Sequence, residues 1–323
     1  MRQPLLGHPA VAVGVLFLAL LGGLPGPAAA ATPVPFTAAG DYSEEALLRG
    51  VSATQAQCAE VSGTVWADAG PLGQACIKYW TAGFPTGANG RAIVFFHGDL
   101  LVGKGKTAKG YLTNSPQKTQ RDIELTARKL DAPYVFIGRP GTHGSSGQHT
   151  QRRRAAESAL LSDALDQLRQ RLNIREFVIA GQSGGGHVTA ALLTRRKDIV
   201  CAVPTSSPSS PRLRWTLMGL KKDTTGFNDS YEPAEHLDKA RMHPGLRVFV
   251  LGDPTDKKVP WASQTILSDR LLAIGVPVKV LQGQGAGPES HGLPNSGREV
   301  ASWCFRDLAT DEIVRRAGAG LKG

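Results

Sequence analysis

Short runs of valine, isoleucine and phenylalanine alternate with longer polar stretches from about residue 75 onward. Ala92 to Phe96 (AIVFF) is the first clear apolar run and ends at His97-Gly98. Tyr134 to Ile137, Phe177 to Ala180, Ile199 to Pro204, Leu246 to Leu251 and Val276 to Leu281 repeat the type. Between them the apolar positions recur at helical spacing. Gln120 to Leu130 has that period, and Ala155 to Leu172 lines up Leu160, Leu161, Ala164, Leu165 and Leu168. Gly186 to Thr194, Ala262 to Ala273 and one last stretch from about Arg298 to Arg316 are expected to be helical too. Strands that are apolar throughout are covered on both faces, and strands alternating with helices build a mostly parallel sheet. The pattern predicts an α/β architecture, a mostly parallel central sheet flanked by helices, in one domain over 32–323. Ser206 to Pro244, rich in Pro, Ser and charge, is too long for a plain connection. It is expected to form a small cap-like excursion (206–244) between the sixth and seventh strands, over the strand ends where such sheets bind ligands.

The first 31 residues do not fit that alternation. Arg2 precedes the apolar run Val11 to Leu21, and Pro25, Pro27 and Ala28 to Ala31 follow. This order reads as a secretory signal peptide (1–31), cut near Ala30 or Ala31. The run is shorter than the ~20 residues that span a bilayer, so no stable membrane span is expected after cleavage, and the mature protein is expected to be secreted or periplasmic. Removing Arg2 from 37 Lys plus Arg leaves 36 against 27 Asp plus Glu, a net charge of +9. The cations fall in small groups, among them Arg152 to Arg154, Arg195 to Lys197 and Lys221-Lys222, with few aromatics between them. They are read as solubilising surface charge, and no nucleic-acid partner is expected. Oligomeric state is not legible.

Four cysteines in an exported chain point to disulfides. Three pairings are open; a local Cys58–Cys76 bridge is favoured, and Cys201–Cys304 would complete the set. No CxxC or paired-histidine spacing suggests zinc. Gly98 to Lys104 approaches a phosphate-binding loop, but Gly105 stands where Ser or Thr would hold magnesium. Neither a metal nor a cofactor is expected.

The candidate chemistry begins where the strand FVIA runs into Gly181-Gln182-Ser183-Gly184-Gly185. A G-x-S-x-G between strand and helix holds its serine on a tight, strained turn that exposes the hydroxyl. Such a serine needs a base oriented by a carboxylate, supplied in the chain order Ser, Asp or Glu, His. After LRVFVL both Asp253 and Asp256 are candidates; Asp256, further round the turn and ahead of Val259-Pro260, is preferred. His291 is the one histidine after Asp256. Oxyanion donors are expected from the amides of Gly184 and, after AIVFF, Asp99. Gln182, and Arg139 and His143 in the glycine-rich loop after YVFI, are expected to contact substrate.

These pieces together, HGD at His97, GQSGGG at Gly181, Asp256-x-x-Val-Pro and His291-Gly292, resemble the α/β-hydrolase superfamily over about Ala75 to Arg316. The resemblance implies an α/β-hydrolase fold with an eight-strand-type sheet and a Ser183, Asp256, His291 triad. Gly185-Gly186 also resembles the GxSxGG of prolyl-oligopeptidase-type peptidases. The expected activity is hydrolysis of a small-molecule carboxylic ester through an acyl-enzyme, with a short peptide or amide as the second substrate class. A non-catalytic binding protein on the same scaffold is the reading from another class.

Overall fold

Nine strands form the central sheet. They are β1 (Thr64–Asp68), β2 (Gln74–Ala82), β3 (Arg91–Phe96), β4 (Tyr134–Ile137), β5 (Glu176–Gln182), β6 (Ile199–Thr205), β7 (Arg247–Gly252), β8 (Val278–Gln284) and the two-residue β9 (Leu321–Lys322). Their order across the sheet is β9-β8-β7-β6-β5-β3-β4-β2-β1. Only β2 runs against the rest: its pairings to β1 and β4 are antiparallel, and every other pairing is parallel. The computed structural model describes residues 32–85, 90–102 and 106–323. The expected signal segment, and Gly103 to Gly105 of the glycine-lysine loop, lie outside them. Pro33 to Gly323 is one compact unit.

The uniformly apolar strands divide their side chains between two cores. Ala92, Val94 and Phe96 of β3 face one way, with Leu161, Leu165 and Leu168 of α2 (Ala155–Arg171), Val188 of α3 (Gly184–Leu192) and Leu267 of α5 (Trp261–Ala273). Ile93 and Phe95 face the other way, with Ile123 of α1 (Pro116–Leu130), Val300 of α6 (Pro294–Phe305) and Ile313 of α7 (Thr310–Gly318). The alternation of side chains along a strand makes both faces core, which is why the strands carry no polar period. Helix α1 begins where Ser115 caps the Lys118 amide and Pro116 occupies the first turn.

The last helix differs from expectation. The stretch read as continuous from Arg298 to Arg316 is two helices, α6 and α7. Asp307 adopts φ 55°, and the Asp307 and Leu308 amides donate back to Cys304 and Trp303 carbonyls. The helix is thereby closed in the manner of a left-handed C-cap, with an aspartate where glycine would have announced the stop. The sheet also extends beyond the eight-strand expectation through β9.

Both disulfides are the favoured pairs. Cys58–Cys76 ties a short helix (Gln55–Ala59) to β2, and Cys201–Cys304 ties β6 to α6. The excursion follows β6 and holds one α-helix, α4 (Pro211–Leu217), and two single-turn 3-10 helices, Pro233–Glu235 and Lys239–Arg241. It is pinned by His187 of α3, whose Nε2 donates to the Tyr231 carbonyl at 2.8 Å, and by the Tyr231 amide on the Arg153 carbonyl at 2.7 Å.

Candidate active site

Parallel register brings the loops of interest to one edge. Phe96 stands beside Gly181 and Ile137, and Thr205 beside Gln182. The segments that follow β3, β4, β5, β7 and β8 therefore all emerge at the carboxyl ends of the strands, where open α/β sheets hold their ligands.

Ser183 sits between β5 and α3 with φ 55° and ψ −117°, a region that costs a non-glycine residue conformational energy. Its amide donates to the Thr205 carbonyl. The turn is closed by contact: a Cβ on Gly181 would lie 2.2 Å from the Gly185 carbonyl oxygen. Gly98 of the loop after β3 comes up against this strand-to-helix turn, the elbow, its Cβ position 3.5 Å from Ser183 Cβ.

His291 Nδ1 lies 2.7 Å from Asp256 Oδ2. The other oxygen of Asp256 accepts from the Lys258 and Val259 amides, at 2.8 and 3.0 Å, and Gln264 Nε2 donates to Oδ2 at 3.3 Å. Asp253, its competitor in the sequence, is engaged elsewhere. It accepts from the Thr255 amide and hydroxyl and from the Gly285 amide at the end of β8. It closes the turn after β7 and ties it to the next strand. Gln182 joins the histidine to the elbow, since its Nε2 donates to the His291 carbonyl at 2.7 Å and its Oε1 accepts from the Leu293 amide at 3.1 Å. The side chain expected to touch substrate is thus spent on holding the His291 loop beside Ser183.

Arg139 and His143 also depart from expectation. Arg139 is fully buried and paired with Glu157 at 2.8 Å and Asp99 at 3.0 Å, so its charge is already answered. His143 is buried among Tyr42, Tyr111, Trp80, Phe136 and His97. Burial first, then Arg139, depresses its pKa to about 3; it is a neutral core histidine. His187 is depressed to about 4 by burial.

The loop after β3 holds the least expected group. The Asp99 carboxylate lies against the first turn of α3: a Cβ on Gly184 would stand 1.9 Å from its Oδ1. Burial alone would raise the pKa of this acid, but Arg153, Arg152 and Arg139 hold it well below the usual carboxylate range. Arg152 Nε is 3.1 Å away, and Arg153 Nη1 also bonds it. Arg153 continues to Asp223 of the excursion at 2.5 Å and to Thr224 Oγ1 at 3.0 Å. Arg152 and Arg153, read from sequence as solubilising charge, are 5% and 2% exposed; the carboxylates brought to them by the fold remove them from the surface. Gly184 opens α3, so its amide lacks an acceptor within the helix. Among the described residues the Asp99 amide has no protein acceptor either.

No protein-family model matches the chain, and no curated protein matches it by sequence. Solved structures do match in fold. Est1E from Butyrivibrio proteoclasticus, with ferulic acid bound, superposes with a TM-score of 0.53 at 13% identity, over 75% of this chain and 98% of its own. An acetyl ester-xyloside bifunctional hydrolase from Caldicellulosiruptor lactoaceticus gives 0.51 at 15% identity, over 74% and 89%. The acylaminoacyl peptidase of Pyrococcus horikoshii gives 0.50 at 15% identity, over 78% of this chain but 43% of the peptidase. The chain has the α/β-hydrolase fold.

Proposed function

We propose that this protein is an exported serine hydrolase acting on a carboxylic ester. The observation that supports the reading is the clasp of Gln182, which joins the loop of the His291–Asp256 pair to the residue just before Ser183, itself on a strained turn of positive φ. In the proposed reaction Ser183 Oγ attacks the ester carbonyl while His291 takes its proton. The tetrahedral intermediate collapses as His291 returns that proton to the departing alcohol. Water then attacks the acyl-enzyme by the same proton route and releases the acid. Asp256, on Nδ1, keeps the imidazole in the tautomer whose Nε2 serves as base. The amides of Gly184 and Asp99 are assigned to the oxyanion; one such donor is typically worth ~10²–10³ in rate. Matches to esterases and to a peptidase in fold support the class, and the second reading, cleavage of a short peptide or amide, follows from the peptidase. Two disulfides accord with an oxidising compartment.

The test is a fluorophosphonate reaction on the mature protein, with the adduct mapped by peptide mass spectrometry. A single adduct on Ser183, lost in His291→Ala, is expected. Ester turnover should fall far more in Asp256→Asn than in Asp253→Asn. Absence of any adduct on the folded protein would defeat the proposal in favour of a binding scaffold.

A further inference from the structure

Four guanidinium groups gather around Asp99, Asp223 and Thr224: Arg139, Arg152 and Arg153 from the main body, and Arg214 from the excursion. Three have carboxylate partners, drawn from Asp99, Glu157 and Asp223. Arg214, on α4 of the excursion, has none among the described residues, although it is only 9% exposed. Its Nε donates to the Lys258 carbonyl at 2.8 Å and its Nη1 to Thr224 Oγ1 at 3.4 Å. Its Nη2 has no protein acceptor among the described residues and is not sealed from solvent.

A guanidinium cannot shed its proton to escape burial, and a buried charge without a counter-ion is costly. Burial and the neighbouring Arg153 both work against this cation, and the charges of Asp223, Asp99 and Asp256 only partly offset them. Those carboxylates already have owners: Asp223 and Asp99 are bonded by Arg153, and Asp256 by His291 and two amides. The position matters as much as the charge. Arg214 bonds the loop that carries Asp256, and through Thr224 it meets the Arg153 network that holds Asp99 beside Gly184. Gly98, next to Asp99, packs against Ser183, and Asp256 pairs with His291. Lys221, Lys222, Lys257 and Lys258, all exposed and without ion pairs among the described residues, stand next to its partners in the chain. Such a cluster draws anions toward the face.

We propose that Arg214 is a specificity-determining residue whose open guanidinium edge binds a carboxylate carried by the substrate. The preferred substrates are then esters bearing a free carboxylate on the acyl or the alcohol part. This rests on the serine-hydrolase reading above.

The experiment compares kcat/KM for two matched pairs. The acyl pair is 4-nitrophenyl hemiglutarate against 4-nitrophenyl pentanoate. The leaving-group pair is 4-acetoxybenzoate against its methyl ester. The wild type is expected to favour the anionic member of one pair. The anionic-to-neutral ratio should fall about tenfold or more in Arg214→Gln, because a charge-assisted, forked hydrogen bond is lost. Arg214→Lys, which keeps the charge but not the fork, should retain part of the preference. Thermal unfolding of each variant confirms that folded protein is compared. A ratio unchanged by Arg214→Gln in both pairs overturns the inference, even if both rates fall, since that marks a mere prop of the Asp256 loop. Fluorophosphonate labelling of the same preparations separates the two levels. Labelled Ser183 without anion preference defeats this inference alone, whereas no label and no turnover defeats the serine-hydrolase reading and this inference with it.

Discussion

Replacing Asp99 by asparagine removes the charge on which three buried arginines converge while keeping the shape of the side chain. Asp99 is ion-paired with Arg139, Arg152 and Arg153, whose side chains are 0%, 5% and 2% exposed. After the change Arg139 keeps Glu157 and Arg153 keeps Asp223. Arg152 keeps only the carbonyls of His149 and Leu101. One guanidinium is therefore stranded, and two lose one of two partners. Breaking a buried ion pair by deleting one partner costs ~3–5 kcal/mol. The lower end, about 3 kcal/mol, is expected because two of the three cations remain paired. At roughly 2 °C per kcal/mol for a domain of this size, Tm should drop by about 6 °C. The assay is equilibrium urea unfolding of the disulfide-intact protein, supported by calorimetry. Adding Arg152→Gln to Asp99→Asn removes the stranded cation and should recover much of the loss, as coupling between neighbours requires. A loss below about 0.5 kcal/mol, or no recovery in the double variant, would refute the reasoning that Asp99 is the counter-ion of the elbow.

Stability should also fall on mild acidification. His97, His143, His149 and His187 are all buried, and burial first of all holds each folded-state pKa below the ordinary value. The unfolded chain then binds more protons below about pH 6.5, so the stabilisation is complete above that value and is lost as pH falls toward about 4 for His187 and about 3 for His143. His143 and His187 should each contribute a loss on the order of 1 kcal/mol between pH 7.5 and 5.5, and a flat urea midpoint across that window would count against burial of the neutral rings. For the disulfides, Cys201→Ser with Cys304→Ser opens a loop of separation 103, and Cys58→Ser with Cys76→Ser one of 18. Chain entropy gives about 4.7 and 3 kcal/mol for such loops, so the first pair should lower the urea midpoint more; the reverse order would contradict the entropic account.

The sheet and the elbow were legible because each depends on local pattern. The apolar runs at Ala92, Tyr134, Phe177 and Ile199 became strands with ends shifted by at most two residues. Burial on both faces leaves such runs no polar positions in which to hide. Ser183, Asp256 and His291 stand out as candidates in the sequence because each follows a strand. Choosing between Asp253 and Asp256 was harder, since both close hydrogen-bonded turns; only the fold shows that Asp253 faces Gly285 and Asp256 faces His291. The break between α6 and α7 carries no sequence signal because an aspartate, not a glycine, takes the left-handed position.

The arginine network is hidden in the sequence for a different reason: composition counts charges without saying which ones meet. Yet a local sign was present. Arg152, Arg153 and Arg154 stand immediately before α2, with Arg154 at its N-cap. The N-terminal end of a helix carries partial positive charge and favours anions. Three consecutive cations there are unfavourable unless acids are delivered to them. Glu157 in the first turn is one such acid, its carboxylate accepting from the Arg153 amide at 2.8 Å while also pairing Arg139. Asp99 and Asp223 arrive from distant segments, the loop after β3 and the excursion, and Asp229 meets Arg154. A cationic run placed against a helix dipole is thus a marker for long-range carboxylate partners. By the same logic Arg214, buried on the same face with no carboxylate of the described residues to pair it, marks a partner that the substrate would bring.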